Sequence, residues 1–176
     1  MIAEEVKARC VAAYGDQAVR WLVGESLHPG GLALTDQLLE SLQLTRESTL
    51  LDVACGTGAS SRRAFETDGC SVVGTDLSTA MVGDAVATSP NERVRFLVAD
   101  AEGLPLADES VDAVLCECAL CLFPDPLRAL GEAVRVLRPG GRIAVSDMTA
   151  DTVRLPGSLL TVAGRVACLG AARSLA

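Results

Sequence analysis

Basic side chains are in short supply in this chain: 15 lysines and arginines stand against 23 acids, for a formal charge of −8 over 176 residues. A protein that holds the phosphate backbone presents a basic patch, so nucleic acid is not an expected partner. The acidic balance is read as serving solubility. Apolar runs are short as well. No stretch reaches the roughly eighteen residues that a membrane span needs, so no membrane partner is expected. The opening residues Met1-Ile2-Ala3-Glu4-Glu5-Val6-Lys7 lack a basic region followed by an apolar one, and a cytoplasmic location is the expectation. Histidine and tryptophan occur once each, as His28 and Trp21. The seven cysteines are odd in number and do not space as a disulfide framework. They read as core thiols, catalytic groups or ligands.

What is present is a regular alternation of strand and helix signals. An N-terminal helical arm comes first, with Ile2, Val6, Cys10, Val11 and Tyr14 at helical spacing and Gly15 interrupting. Trp21 reads as an anchor for this arm. Ser26-Leu27-His28-Pro29-Gly30-Gly31 is a loop by its proline and glycines, and Leu32–Leu42 is a second helix. Strands are expected at Leu50–Ala54, Ser71–Asp76, Arg93–Asp100, Asp112–Cys116 and Arg142–Asp147. Between them come a helix starting near Ser60, a helix over Thr79–Ala87 capped by Ser78, and a helix over Pro126–Leu137. Such alternation predicts an α/β fold with a mostly parallel, Rossmann-like sheet covered by helices. Two parts follow: residues 1–46 as the helical arm or lid, and residues 47–176 as the core. After Met148 only one further helix, over Leu155–Cys168, is legible.

The centre of the pattern is Leu51-Asp52-Val53-Ala54-Cys55-Gly56-Thr57-Gly58, a strand that ends in an acid and runs into a glycine loop and then a helix. Glycines there let a ligand approach the backbone, and the free amides of the helix start point at it. A dinucleotide loop would be G-x-G-x-x-G with pyrophosphate at the helix start. Here Ser61 stands where the third glycine would fall, and Asp52 would repel pyrophosphate but suit a cation. A dehydrogenase is therefore the weaker reading. Two more strands end in acids. Asp76 is placed to accept from ribose hydroxyls, and Asp100 from an exocyclic adenine amine. Leu77 and Met81 offer apolar surface for a purine.

Together with Gly74-Thr75-Asp76-Leu77-Ser78, Ala99-Asp100-Ala101-Glu102-Gly103-Leu104-Pro105 and Ala133-Val134-Arg135-Val136-Leu137-Arg138-Pro139-Gly140-Gly141, this loop resembles the successive motifs of class I methyltransferases. The resemblance implies S-adenosylmethionine as cofactor, bound by Asp52, Ala54, Gly56, Gly58, Asp76, Leu77, Met81, Asp100, Ala101 and Cys116. Ala54 replaces the first glycine of the usual G-x-G-x-G, a mild change. The family commonly adds an antiparallel hairpin after strand five. Too few residues remain for it, so the final antiparallel strands are expected to be missing, and the bare sheet edge predicts a homodimer.

The segment Cys116-Glu117-Cys118-Ala119-Leu120-Cys121-Leu122-Phe123-Pro124-Asp125 follows strand four, where the acceptor sits in this fold. A C-x-C-x-x-C run without a distant second pair is not a zinc site, and no metal is expected. Cys118 and Cys121 also read as small apolar turn residues. The order of residues resembles arsenite methyltransferases, which implies catalytic, metalloid-holding roles for Cys118 and for Cys168 in Ala167-Cys168-Leu169-Gly170-Ala171. Cys10 matches the amino-terminal cysteine of that pattern weakly. Thiolates suit a soft trivalent metalloid. The alternatives are an organic small-molecule acceptor, for which His28 and Glu117 are the nearby acid–base candidates, and a non-catalytic module that binds metalloid or cofactor.

Overall fold

The computed structural model describes residues 2–15 and 28–149. Helix α1 spans Ile2–Gly15, α2 Gly31–Leu42, α3 Ala59–Asp68, α4 Thr79–Ala87 and α5 Pro126–Val136. Strands β1 Thr49–Val53, β2 Ser71–Asp76, β3 Val94–Val98, β4 Val111–Glu117 and β5 Leu137–Ser146 form one sheet in the order β3-β2-β1-β4-β5. All four pairings are parallel. The expected α/β architecture is therefore present. Trp21, Cys168 and the helix read over 155–168 lie outside the described residues, as does the stretch where a closing hairpin would fall.

Alternation along the central strands explains the layering. Leu50 of β1 and Ala113 and Leu115 of β4 enter one core, while Leu51, Val53, Val114 and Cys116 enter the other. Side chains of a strand point to opposite faces, so a sheet that is apolar on both must be covered on both. Leu39 and Leu42 of α2, Ala64 of α3 and Val82 and Ala85 of α4 cover the first face. Ala133 and Val136 of α5 cover the second. Helix α2 thus belongs to the packed core, although it falls within the stretch read as an arm.

Helix ends follow local chemistry. The Ser78 hydroxyl accepts from the Met81 amide and caps α4, and the Asp125 carboxylate does the same for α5 from Arg128, with Pro126 at the first helical position. Helix α5 gives way directly to β5 at Leu137, so Arg138-Pro139-Gly140-Gly141, read from sequence as lying between helix and strand, falls within β5. Pairing there jumps from Val111–Leu137 to Ala113–Arg142.

Strand order reverses between β1 and β4, so their neighbouring connections leave the sheet in opposite directions. A crevice opens at the carboxyl ends of these strands, which is where α/β sheets hold ligands. The ring of Phe96 on β3 props the glycine loop from behind. A Cβ on Gly74 would fall 2.5 Å from Phe96 Cδ1 and 2.9 Å from Cys55 Sγ, and a Cβ on Gly58 would fall 2.5 Å from Phe96 Cζ. Gly58 also holds φ at 80°, which a side chain would strain. Gly74→Ala is expected to destabilise the fold by about 1–3 kcal/mol through overpacking, read as a lowered urea midpoint. Phe96→Leu added to Gly74→Ala should return part of that loss, and strict additivity of the two would count against the contact.

Candidate active site

The crevice contains a cavity of about 150 Å³. Its walls come from the β1–α3 loop, the tip of β2 with the start of α4, the residues after β3, the segment after β4, and the N-terminal elements. Of the residues named from sequence for the cofactor, Asp52, Ala54, Gly56, Asp76, Leu77, Met81, Asp100 and Ala101 line it together. Two do not. The Cys116 side chain is buried in the core behind β4, since the strand's alternation turns it to the α5 face. Gly58 starts α3 with a left-handed backbone and keeps room for Phe96 instead of forming the wall.

The loop is held by its acids. Asp76 accepts from the Gly56 amide at 2.9 Å and from the Ser78 amide at 2.8 Å, which ties loop to strand tip. Each carboxylate oxygen keeps a further lone pair for a ligand. Burial raises the Asp76 carboxyl above its ordinary range, against the downward pull of these amides. Asp52 is buried and accepts from the Ser61 hydroxyl at 2.5 Å. The residue that replaces the third glycine is thus a buried donor to the motif's acid. Burial, reinforced by the neighbouring Glu117 and Asp76 charges and opposed by Ser61, pushes Asp52 up to about 7. Ala54 has φ 58°, a left-handed conformation that costs a non-glycine residue about 1–2 kcal/mol.

Two contacts at the Asp100 end of the cavity are absent from local sequence signals. Lys7 of α1 binds Asp100 at 2.6 Å and Glu102 at 2.8 Å, so the acid read as an adenine acceptor already carries an ion pair. Against the upward pull of burial, Lys7 and the Glu102 amide hold the Asp100 carboxyl below its usual range. Contacts spanning 93 and 95 residues leave no trace in spacing.

The other end is lined by His28, Glu117, Cys118, Leu122, Phe123 and Pro124. Glu117 is buried, and its oxygens accept from Thr35 at 3.0 Å and Ser60 at 2.5 Å. His28 Nε2 lies 3.5 Å from Glu117 Oε1. Cys118 has φ 51° and lines the cavity, whereas Cys121 does not. Backbone held in such a region is over-determined by its surroundings, a frequent property of active-site turns. No group of three metal-ligating side chains occurs among the described residues.

Residues 51–145 match the family of methyltransferase domains, and with this sheet and loop the chain belongs to that family, the class I, S-adenosylmethionine-dependent methyltransferases. It is 34% identical over 165 residues to a 27-O-demethylrifamycin SV methyltransferase of Amycolatopsis mediterranei, covering 85% of this chain and 60% of that one. An arsenite methyltransferase of Halobacterium salinarum is 38% identical over 105 residues, 57% of this chain and 27% of that one. Phosphoethanolamine N-methyltransferase 2 of Haemonchus contortus, solved with phosphomonomethylethanolamine and S-adenosylhomocysteine, superposes with a TM-score of 0.76 at 25% identity. That superposition covers 89% of this chain and 37% of the other. The chain thus spans between about a quarter and three fifths of these proteins' lengths.

S-adenosylmethionine carries a sulfonium and an ammonium, an adenine and two ribose hydroxyls. The donor set fits it: buried carboxylates for cations, Asp76 for hydroxyls, and Leu77 and Met81 for the ring. Among the described residues the one lysine on the wall is engaged by Asp100 and Glu102 and is not held ready for a pyrophosphate.

Asp52 binds its proton more tightly folded than unfolded, so folding takes up a proton between about pH 4 and pH 7, and stability falls as pH rises through that window. Asp52→Asn removes this loss. The variant's melting temperature, without ligand, is expected to rise relative to wild type from pH 4 to pH 8. A difference that stays constant with pH would show that the shift is absent.

Proposed function

We propose that this chain binds S-adenosylmethionine in the crevice and transfers its methyl group to a small molecule held against the segment after β4. One observation carries this reading: the three strand-end acids and the acceptor segment converge on one cavity. When bound, the cofactor supplies a methyl group on a positively charged sulfur, and the S–CH₃ electron pair stays on sulfur when the bond breaks. The chain's own residues position and desolvate. Asp52 offers charge to the cationic end, Asp76 holds the ribose, and Leu77 and Met81 cover the purine. Leu122, Phe123 and Pro124 form an apolar wall that orients an acceptor lone pair and excludes water. An oxygen or nitrogen acceptor must lose a proton, and His28 is the imidazole on that wall.

Organic acceptors suit this wall, and the relative matched over most of the chain is named for one. A second reading, trivalent arsenic held by thiolates, is favoured by the cavity position of Cys118. It needs a second thiolate, for which Cys168 is the candidate. An arsenic lone pair would attack methyl without any base. A homodimer paired along β5, which ends the sheet among the described residues, completes the proposal.

Titration calorimetry should show S-adenosylmethionine binding that Asp52→Asn and Asp76→Asn each weaken at least about tenfold, in line with loss of a charged partner. Binding of a nicotinamide dinucleotide in its place would falsify the cofactor. Intact mass after exposure to a trivalent arsenical decides the acceptor. Adducts lost in both Cys118→Ser and Cys168→Ser support arsenic. Adducts indifferent to both exclude it and leave the organic acceptor.

A further inference from the structure

Among the described residues the cavity wall carries four carboxylates, Asp52, Asp76, Asp100 and Glu117, and two basic side chains, Lys7 and His28. Lys7 is engaged by Asp100 and Glu102. His28 Nε2 stands 3.5 Å from Glu117 but makes no hydrogen bond. Even a protonated imidazole would offset one of the three remaining acids. Carboxylates gathered out of water without counter-charge are unfavourable, and a cationic guest relieves them.

Glu117 is the acid whose presence the cofactor motifs do not explain. It ends β4, on the far side of the switch point from Asp76. Two neutral hydroxyls fix it there: Thr35 Oγ1 from α2 at 3.0 Å and Ser60 Oγ from the first turn of α3 at 2.5 Å. Neutral donors orient a carboxylate and leave its charge in place. The next residue, Cys118, lies on the acceptor wall, while Ser60 opens the helix that follows the cofactor loop. Glu117 therefore sits at the junction of the two subsites, where the group being transferred has to stand.

We propose that Glu117 is a specificity-determining residue that holds the positively charged methyl donor and releases its uncharged product. The inference rests on the cofactor reading above and adds a partner for the sulfonium. Transfer moves CH₃⁺ to the acceptor's lone pair, and the electron pair of the broken bond turns the sulfonium into a neutral thioether. Adenine, ribose, ammonium and carboxylate are unchanged. Contacts from Asp76, Asp100, Leu77 and Met81 are then common to donor and product and do not separate them. A carboxylate close to sulfur, in a cavity with little water, attracts the donor and has no hold on the thioether. The acidic wall thus counters inhibition by the product.

Titration calorimetry on the full chain tests this with three ligands: S-adenosylmethionine, S-adenosylhomocysteine, and an amine analogue in which a carbon bearing an ammonium replaces the sulfonium. Wild type is expected to bind both cations about tenfold more tightly than the thioether, as one added charge contact allows. Glu117→Gln should weaken the two cations to within about twofold of the thioether and leave the thioether unchanged. Glu117→Asp keeps the charge and should keep most of the preference. Equal weakening of all three ligands in Glu117→Gln, or an unaltered preference, overturns the proposal. Should that variant fail to fold, equal binding of donor and thioether by wild type overturns it equally. Wild type that binds none of the three refutes the cofactor reading instead.

Discussion

Three carboxylates at the open ends of adjacent strands, the buried Asp52 and Glu117 and the half-buried Asp76, set the conditions for the rest of this structure. Each is unfavourable alone and more so beside the others, which is the physical cause of the raised Asp52 carboxyl. The fold answers with hydrogen bonds from neutral donors. Ser61 serves Asp52, the Gly56 and Ser78 amides serve Asp76, and Thr35 and Ser60 serve Glu117. None of these donors cancels charge. The site is an acidic wall held in place by neutral donors.

That wall also organises the scaffolding. The first turn of helix α3 delivers both Ser60 and Ser61 to acids on different strands. Helix α2 is joined to the cavity wall by Thr35, which donates to Glu117, so a segment that precedes the first strand supports the crevice. Phe96 fixes the loop's height from behind by occupying space that only glycines at 58 and 74 leave open. Lys7 of α1 is tied to the Asp100 end of the cavity by its two ion pairs. Strands, loop and N-terminal helices therefore meet at the acids of the crevice.

The division between cofactor and acceptor follows from the sheet. Reversal of strand order between β1 and β4 places the acids proposed to hold the nucleoside on one side of the crevice and the segment proposed to face the acceptor on the other. Within that segment, Cys116 and Cys118 stand two residues apart and would share a face if the strand continued, yet they take different places. Strand alternation sends Cys116 into the core, while the left-handed backbone at Cys118 turns the chain and leaves that residue on the cavity wall.

Much of this was legible from the sequence alone, for local reasons. Short apolar runs alternating with helix signals, the glycine loop after Asp52, and the acids at the end of β2 and just beyond β3 are short-range signals, and they were sufficient for the α/β class, the order of elements and the membership of the methyltransferase family. Asp52, Asp76, Leu77, Met81 and Asp100 could be named because each occupies a set place relative to its own strand or helix. Only the tertiary structure decided the partners. Lys7 reaches Asp100 across 93 residues and Thr35 reaches Glu117 across 82, and contacts of that separation have no periodicity to betray them. The same holds for Gly58, whose neighbour is a ring from β3, and for Cys116, whose place at the strand tip says nothing of which way its thiol turns. Spacing along the chain determined which chemistry was present. Packing in three dimensions determined which charges faced one another.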